Sequence, residues 1–354
     1  MVYQLLVFFI LLVAFFYKQL VKNPDPSLKE RDIFLIPTFF ALFVVMGFRD
    51  VSVGVDTYNY SMIYRDISSK PFWFLLTDYY YESIEIGFVM LAKLSSFILD
   101  DYYFFQIVVS FAICFFMYKF IRQNTRDFVT TSIIFMSIGI YLISFNISRQ
   151  MLAVSIAVNA WNYLKNNDYK RAFIYTSVSL LFHISSIVFF LIYIIYYFKD
   201  NKKVMASVPL FFILFVFFFQ RLMTVISVYI IKYANYYGNN REIQEANMVK
   251  ILWTVEFLLS LYIFYQKRFN SQEKVISVLC MVYVLTNIIA LSFNYFERIG
   301  LFFSPFLLLL FGIYGNSIKN VILRKGYYVV INICFLLFFL RAISTPQYIY
   351  SFFF

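Results

Sequence analysis

The sequence predicts an all-α polytopic membrane protein, and three observations predict it. The chain is 62% hydrophobic and 14% charged over 354 residues. Its apolar runs are long enough to cross a hydrocarbon core of about 30 Å, which takes roughly 20 residues of helix. No Ser/Gly-rich or low-complexity stretch separates these runs. Residues 1–354 are therefore expected to form a single integral membrane domain of about 10 to 12 transmembrane or re-entrant helices.

The apolar runs lie at about 2 to 20, 33 to 48, 86 to 99, 102 to 120, 128 to 146, 150 to 164, 172 to 198, 204 to 220, 249 to 266, 275 to 292, 298 to 315 and 327 to 342. The first lacks a basic leader and a small-residue cleavage site, so it reads as a retained helix. Cys114, Cys280 and Cys334 sit inside apolar runs without C-x-x-C spacing, as buried small hydrophobes do. No internal repeat and no paired Gly/Pro interruptions mark the runs, which argues against a secondary transporter. The net charge of +11 is carried by short loops and suits an anionic bilayer surface or an anionic lipid substrate. No basic run exists to track a nucleic-acid backbone, so nucleic acid is not a partner.

Clusters of Lys and Arg give the orientation. Lys22/Lys29/Arg31, Lys119/Arg122/Arg126, Lys165/Lys170/Arg171, Lys199/Lys202/Lys203, Lys267/Arg268/Lys274 and Lys319/Arg324/Lys325 all look cytoplasmic. They share one side only if the short run 86 to 99 does not cross and the long run 172 to 198 folds back as a re-entrant hairpin. Segments around 49 to 85, 146 to 150, 221 to 248 and 294 to 298 then share the outer side.

The odd charges fall in those outer segments. Arg149, in Asn146-Ile147-Ser148-Arg149-Gln150-Met151-Leu152-Ala153, lies between two apolar runs, where an arginine is costly and marks a functional path. On a helix through 149 to 164, Arg149, Ala153, Ala157 and Ala160 fall within roughly 80° at 100° per residue. Small residues on one stripe mark close helix contact in a bilayer, so the arginine points inward, either to grip phosphate in a fork or to pair with a buried carboxylate. His183 is the only histidine. On a helix through 172 to 186 it joins Thr176, Ser179 and Ser186 in a polar stripe, as a structural hydrogen-bonder, a general base or a phosphate ligand. One histidine with no nearby cysteine makes a zinc site improbable, and no cofactor is expected.

In Gly47-Phe48-Arg49-Asp50-Val51-Ser52-Val53-Gly54-Val55-Asp56-Thr57-Tyr58-Asn59-Tyr60, Gly54 gives the turn backbone freedom. Asp56 and Thr57 are placed to cap a following helix, and Arg49 to meet an anion from the rim. Glu82 and Glu85 precede Ile86-Gly87-Phe88, and Trp73, Tyr79, Tyr80 and Tyr81 offer faces on which sugars stack or an interfacial belt. Asn287, Asn294 and Arg298 share a face if one helix runs through them, and Glu297 is placed to orient an arginine or take a proton.

The ordered set Arg49 with Gly54-Val55-Asp56-Thr57-Tyr58, Glu85-Ile86-Gly87-Phe88, Ser148-Arg149-Gln150-Met151-Leu152-Ala153 and Phe182-His183-Ile184-Ser185-Ser186 resembles the EpsG-type branch of the Wzy polysaccharide polymerases over roughly residues 30 to 200. The resemblance implies a fold like that of membrane-embedded, GT-C-like glycosyltransferases. It also implies polymerisation of undecaprenyl-diphosphate-linked oligosaccharide repeat units into O-antigen, capsule or exopolysaccharide at the outer face of a bacterial cytoplasmic membrane, without metal or nucleotide sugar. Donor, acceptor and membrane lipids would be the partners, with a chain-length regulator as a further one. Under it Arg149, Arg49 and Arg298 hold the diphosphate, His183 or Asp56 activates the acceptor hydroxyl, and Glu85, Gln150, Glu297, Thr57 and Tyr58 position substrate. The rivals are a membrane O-acyltransferase, a lipid-linked glycan flippase and a glycan ligase. The first has no use for three outward arginines, the second needs charges on both sides, and the third breaks the same lipid-diphosphate bond.

Overall fold

A computed structural model of the chain describes residues 1–23, 26–77, 84–229, 247–291 and 295–354. Several of its helices begin where short polar side chains satisfy the first free backbone N–H groups. Ser27 opens the second helix with a capping box: its hydroxyl accepts the Glu30 N–H and the Glu30 carboxylate accepts the Ser27 N–H. Asp101, Asp127, Asn270 and Asn320 cap four later helices in the same manner.

The chain groups into two compact units, and the first is discontinuous, made of Met1–Ser186 and Asn320–Phe354. Its first part runs α1 (Val2–Leu20), α2 (Leu28–Gly47), α3 (Thr57–Ser69), α4 (Phe72–Thr77), α5 (Ile86–Ile98), α6 (Tyr102–Asn124), α7 (Phe128–Ser137), α8 (Ile140–Asn146), α9 (Ser148–Val158), α10 (Ala160–Leu164) and α11 (Tyr169–Leu180). The second unit, Ile187–Lys319, holds α12 (Phe190–Tyr197), α13 (Lys202–Tyr229), α14 (Asn247–Tyr265), α15 (Ser271–Ala290), α16 (Tyr295–Gly300) and α17 (Ser304–Asn316). The chain then returns to the first unit with α18 (Val321–Ala342). A tail follows whose residues lace onto the loop after α2: Gln347 and Ser351 carbonyls accept the Gly54 and Asp50 N–H groups at 2.9 Å each.

The all-α polytopic class is what the structure shows, with an isolated Arg49–Phe352 bridge and no strand among the described residues. Five segments are long and apolar enough to span: Val2–Leu20, Tyr102–Asn124, Phe128–Asn146, Ser271–Ala290 and Val321–Ala342. Among the described residues that is fewer than the apolar runs suggest, and helices are interrupted within several of the runs. Gly139, at φ 87°, separates α7 from α8. The expected helix over 149 to 164 divides at Asn159, whose buried side-chain amide donates to Phe116 O and Ser155 O at 2.9 Å each. The expected helix over 172 to 186 ends at Leu180 and gives way to a turn and a 3-10 stretch, Ile184–Phe189. Of the three cysteines, Cys334 is exposed on α18 and not buried.

In the first unit α2 packs on α6, α6 on α9, and α9 on α11. Ala153, Ala157 and Ala160 are fully buried, so small side chains bring α9 and its neighbours into close approach. The unit has two chemically distinct ends. At one, Arg122 forks onto Asp32 at 2.6 and 2.7 Å, Arg31 donates to Thr125 O at 2.8 Å, and Lys165 donates to Asn124 Oδ1 at 2.7 Å. The other end carries the loop after α2, the starts of α3, α5 and α9, and the end of α11.

Candidate functional site

Glycine determines how that second end closes. Gly87, in the first turn of α5, donates its N–H to Leu181 O at 2.8 Å. A Cβ there would lie 2.6 Å from that same oxygen and 2.8 Å from the Leu181 Cβ. Only a glycine lets the start of α5 dock on the turn that ends α11. Gly87→Ala is expected to push the two apart at a cost of about 1–3 kcal/mol, read as a lower unfolding temperature in detergent together with reduced activity.

That docking brings Glu85 to two partners from distant parts of the chain. Its Oε2 lies 3.0 Å from Arg149 Nη1. Its Oε1 accepts the Ile184 N–H at 2.8 Å and lies 3.7 Å from His183 Nδ1. The three side chains are largely but not wholly covered, at 18% exposure for Arg149, 17% for Glu85 and 9% for His183. Glu85, Arg149 and His183 thus form one cluster. His183 Nδ1 accepts the Ser185 N–H at 3.2 Å. An imidazole nitrogen that accepts carries no proton, so in the neutral ring the proton is on Nε2. His183 therefore presents a donor, which suits a phosphate ligand better than a base.

Arg149 sits in the first turn of α9, where backbone N–H groups lack helical partners. The Arg149 backbone N–H and the Ser148 side chain lie beside the Tyr60 hydroxyl, whose pKa is raised chiefly by burial. Asp56, half-buried at the N-cap position of α3, interacts electrostatically with the same hydroxyl. Its own side chain makes no cap hydrogen bond to α3. Tyr58, beside it, is exposed.

The two residues before Ile147 are clamped by the loop after α2. Asn146 Oδ1 accepts the Val55 N–H at 2.9 Å, and its Nδ2 donates to the Tyr348 hydroxyl at 3.2 Å. Thr57 Oγ1 lies 2.7 Å from Val53 O and 3.1 Å from Phe145 O, donating to both. Arg49 also ends on Phe145: Nη2 donates to its carbonyl at 3.3 Å and the guanidinium carbon lies 4.8 Å from its ring centroid, while Nη1 donates to Met46 O. At 2% exposure this arginine is not at the rim, as its place at a helix end suggested; it is a bracket between α2 and α8. Gln150 is likewise 2% exposed, inside the bundle.

In the second unit, Glu297 and Arg298 are exposed on the short helix α16. Gly300 closes that helix against the end of α15, where a Cβ would lie 2.7 Å from Thr286 Oγ1. Asn294, and with it the face shared by Asn287, Asn294 and Arg298, falls outside the described residues, as do Glu82, Tyr79, Tyr80 and Tyr81. Tyr60, Ser148 and Asn146 were not singled out from the sequence as site residues. The one signal was their position, Tyr60 a turn beyond Thr57 and the other two beside Arg149.

A family model described as the EpsG family matches residues 32–354. The match extends well past the stretch of roughly 30 to 200 that carried the resemblance. No curated protein and no solved structure matches the chain.

Proposed function

The chain belongs to the EpsG family of polysaccharide polymerases, and from that premise we propose that the Glu85–Arg149–His183 cluster is where a lipid-diphosphate-linked glycan is transferred. The observation that carries the reading is Arg149 itself. It is a guanidinium at the first turn of a helix, partly exposed, with an imidazole donor brought to the same carboxylate. Fork-shaped donors match phosphate oxygens in pairs, and the start of a helix adds favourable potential for an anion.

The reaction is a single inverting displacement. The hydroxyl of an acceptor repeat unit attacks the anomeric carbon of the growing chain, and undecaprenyl diphosphate leaves. Arg149 and the His183 Nε2–H take up the charge that grows on the departing oxygen, the kind of help preorganised donors supply. Asp56 and Tyr58, at the start of α3, position the acceptor. Arg49 supports the site by holding Phe145. The basic end of the first unit supports, by the positive-inside rule, a reading in which that end is cytoplasmic and the cluster faces outward in a bacterial cytoplasmic membrane.

The test is reconstitution. Purified protein in nanodiscs, given a synthetic lipid-diphosphate oligosaccharide and no nucleotide sugar or metal, is expected to yield polymer and one free lipid diphosphate per bond formed. Transfer of acetyl groups, or movement of the lipid across the bilayer without bond formation, would instead support the acyltransferase or flippase.

A further inference from the structure

We propose that Glu85 has two successive roles: it is the counter-ion of Arg149 in the resting site, and it becomes the base for the acceptor hydroxyl once a diphosphate takes Arg149 from it. The proposal rests on the polymerase reading above and adds a residue and an order of events to it.

Three observations carry it. First, Glu85 Oε2 occupies the face of Arg149 Nη1 at 3.0 Å, where an incoming phosphate oxygen would have to bind. Anion binding and the Glu85 contact are therefore alternatives, and a diphosphate must displace the carboxylate to gain the fork. Secondly, Glu85 is held independently of Arg149. It stands immediately before α5, whose Gly87 is fixed to Leu181 O, and its Oε1 accepts the Ile184 N–H at 2.8 Å. On losing the guanidinium the carboxylate stays beside the site, with Oε2 released to face the ligand. Thirdly, His183 is already committed as a donor, because its Nδ1 accepts from Ser185. Among the three clustered side chains this leaves Glu85 as the one with lone pairs for a proton. Once its cationic partner has moved onto another anion, Oε2 has its lone pairs turned to the acceptor hydroxyl, so substrate binding itself prepares the base.

The step balances. The acceptor O–H bond breaks and its proton passes to Glu85 Oε2. The oxygen forms the new bond to the anomeric carbon, and the old carbon–oxygen bond breaks with its electron pair leaving on the diphosphate. That group departs with one more negative charge, held by Arg149 and the His183 Nε2–H. When the lipid diphosphate dissociates, Glu85 releases its proton and pairs with Arg149 again. The resting pair thus neutralises the Arg149 charge between turnovers.

The experiment compares wild type, Glu85→Gln, Glu85→Ala and Arg149→Ala in nanodiscs, measuring both single-turnover transfer and binding of undecaprenyl diphosphate. Gln keeps an oxygen for the Ile184 N–H, so the turn stays docked, and unfolding temperature checks this. Glu85→Gln is expected to lower transfer by about 10²–10⁴-fold, while the lipid diphosphate binds as tightly as before or more tightly. In Glu85→Ala, added formate is expected to restore part of the lost rate, which a purely structural role would not allow. Arg149→Ala is expected to lose binding as well. Transfer by Glu85→Gln within tenfold of wild type, or a loss of lipid-diphosphate binding in parallel with rate, overturns the role of Glu85 and leaves the polymerase reading standing. Absence of transfer by wild type overturns both.

Discussion

Replacing Arg149 with alanine is expected to stop polymerisation while single repeat units are still transferred and displayed on cells. The argument is geometric. Nη1 faces Glu85 at 3.0 Å, so the guanidinium starts each cycle in a set place. Removing one preorganised donor to a developing oxyanion costs about 10²–10³ in rate, near 2.7–4 kcal/mol. The loss here should reach the upper part of that range, since a charged fork goes and Glu85 is left unpaired. Arg149→Lys separates charge from shape. Lysine keeps the charge but offers a point and not a fork, so short chains are expected to appear at a rate about tenfold or more below wild type. Polymer length on gels and single-turnover rates report both effects. Unchanged polymer in Arg149→Ala would remove the leaving-group role altogether.

The second large effect is expected at Gly54, at φ 99°. A Cβ on this residue would lie 2.8 Å from Thr57 Oγ1 and 2.9 Å from both Asn146 Oδ1 and Phe145 O. Those are the atoms through which the loop clamps the segment leading to Arg149. Gly54→Ala therefore combines left-handed strain of roughly 1–2 kcal/mol with overpacking of about 1–3 kcal/mol, and the relief available is to release the clamp. Thermal unfolding should fall and polymerisation should fall further than stability alone explains. Gly139 provides the control: it also has positive φ, at 87°, but nothing lies within 4 Å of its Cβ position. Gly139→Ala should show the strain alone, with polymer length retained. Equal effects at the two glycines would show that the clamp is not what Gly54 protects.

Much of the fold was legible because bilayer physics writes itself into composition. Apolar length gave the polytopic all-α class, and the alanine spacing after Arg149 gave the direction of α9, since Ala153, Ala157 and Ala160 are indeed buried. The helix breaks were less legible. Asn159 reads as one polar residue in an apolar run, and nothing in periodicity says that its amide is satisfied by Phe116 O across a helix contact. The end of α11 at Leu180 escaped for a related reason: Thr176, Ser179 and His183 fit a helical stripe, whereas Gly87, nearly a hundred positions away, is what docks on the turn. Arg49 misled because a helix end usually lies near water, yet Met46 O, Phe145 O and the Phe145 ring receive it inside. The site itself was half visible. Each of Glu85, Arg149 and His183 could be named from local oddity, but their meeting depends on three separate helix ends and leaves no local pattern. The discontinuity of the first unit leaves none either.

That discontinuity also dictates a schedule for biosynthesis. The loop from Arg49 to Thr57 is made long before its partners, so its N–H groups at Asp50 and Gly54 wait for Ser351 and Gln347, and Asn146 waits for Tyr348. The nascent chain must therefore deliver all of Ile187–Lys319 to the translocon before the last anchor of the Arg149 segment exists. A chain clipped before residue 347 would lack the two carbonyls that receive Gly54 and Asp50 and the hydroxyl that receives Asn146, and would leave the Arg149 segment unfastened.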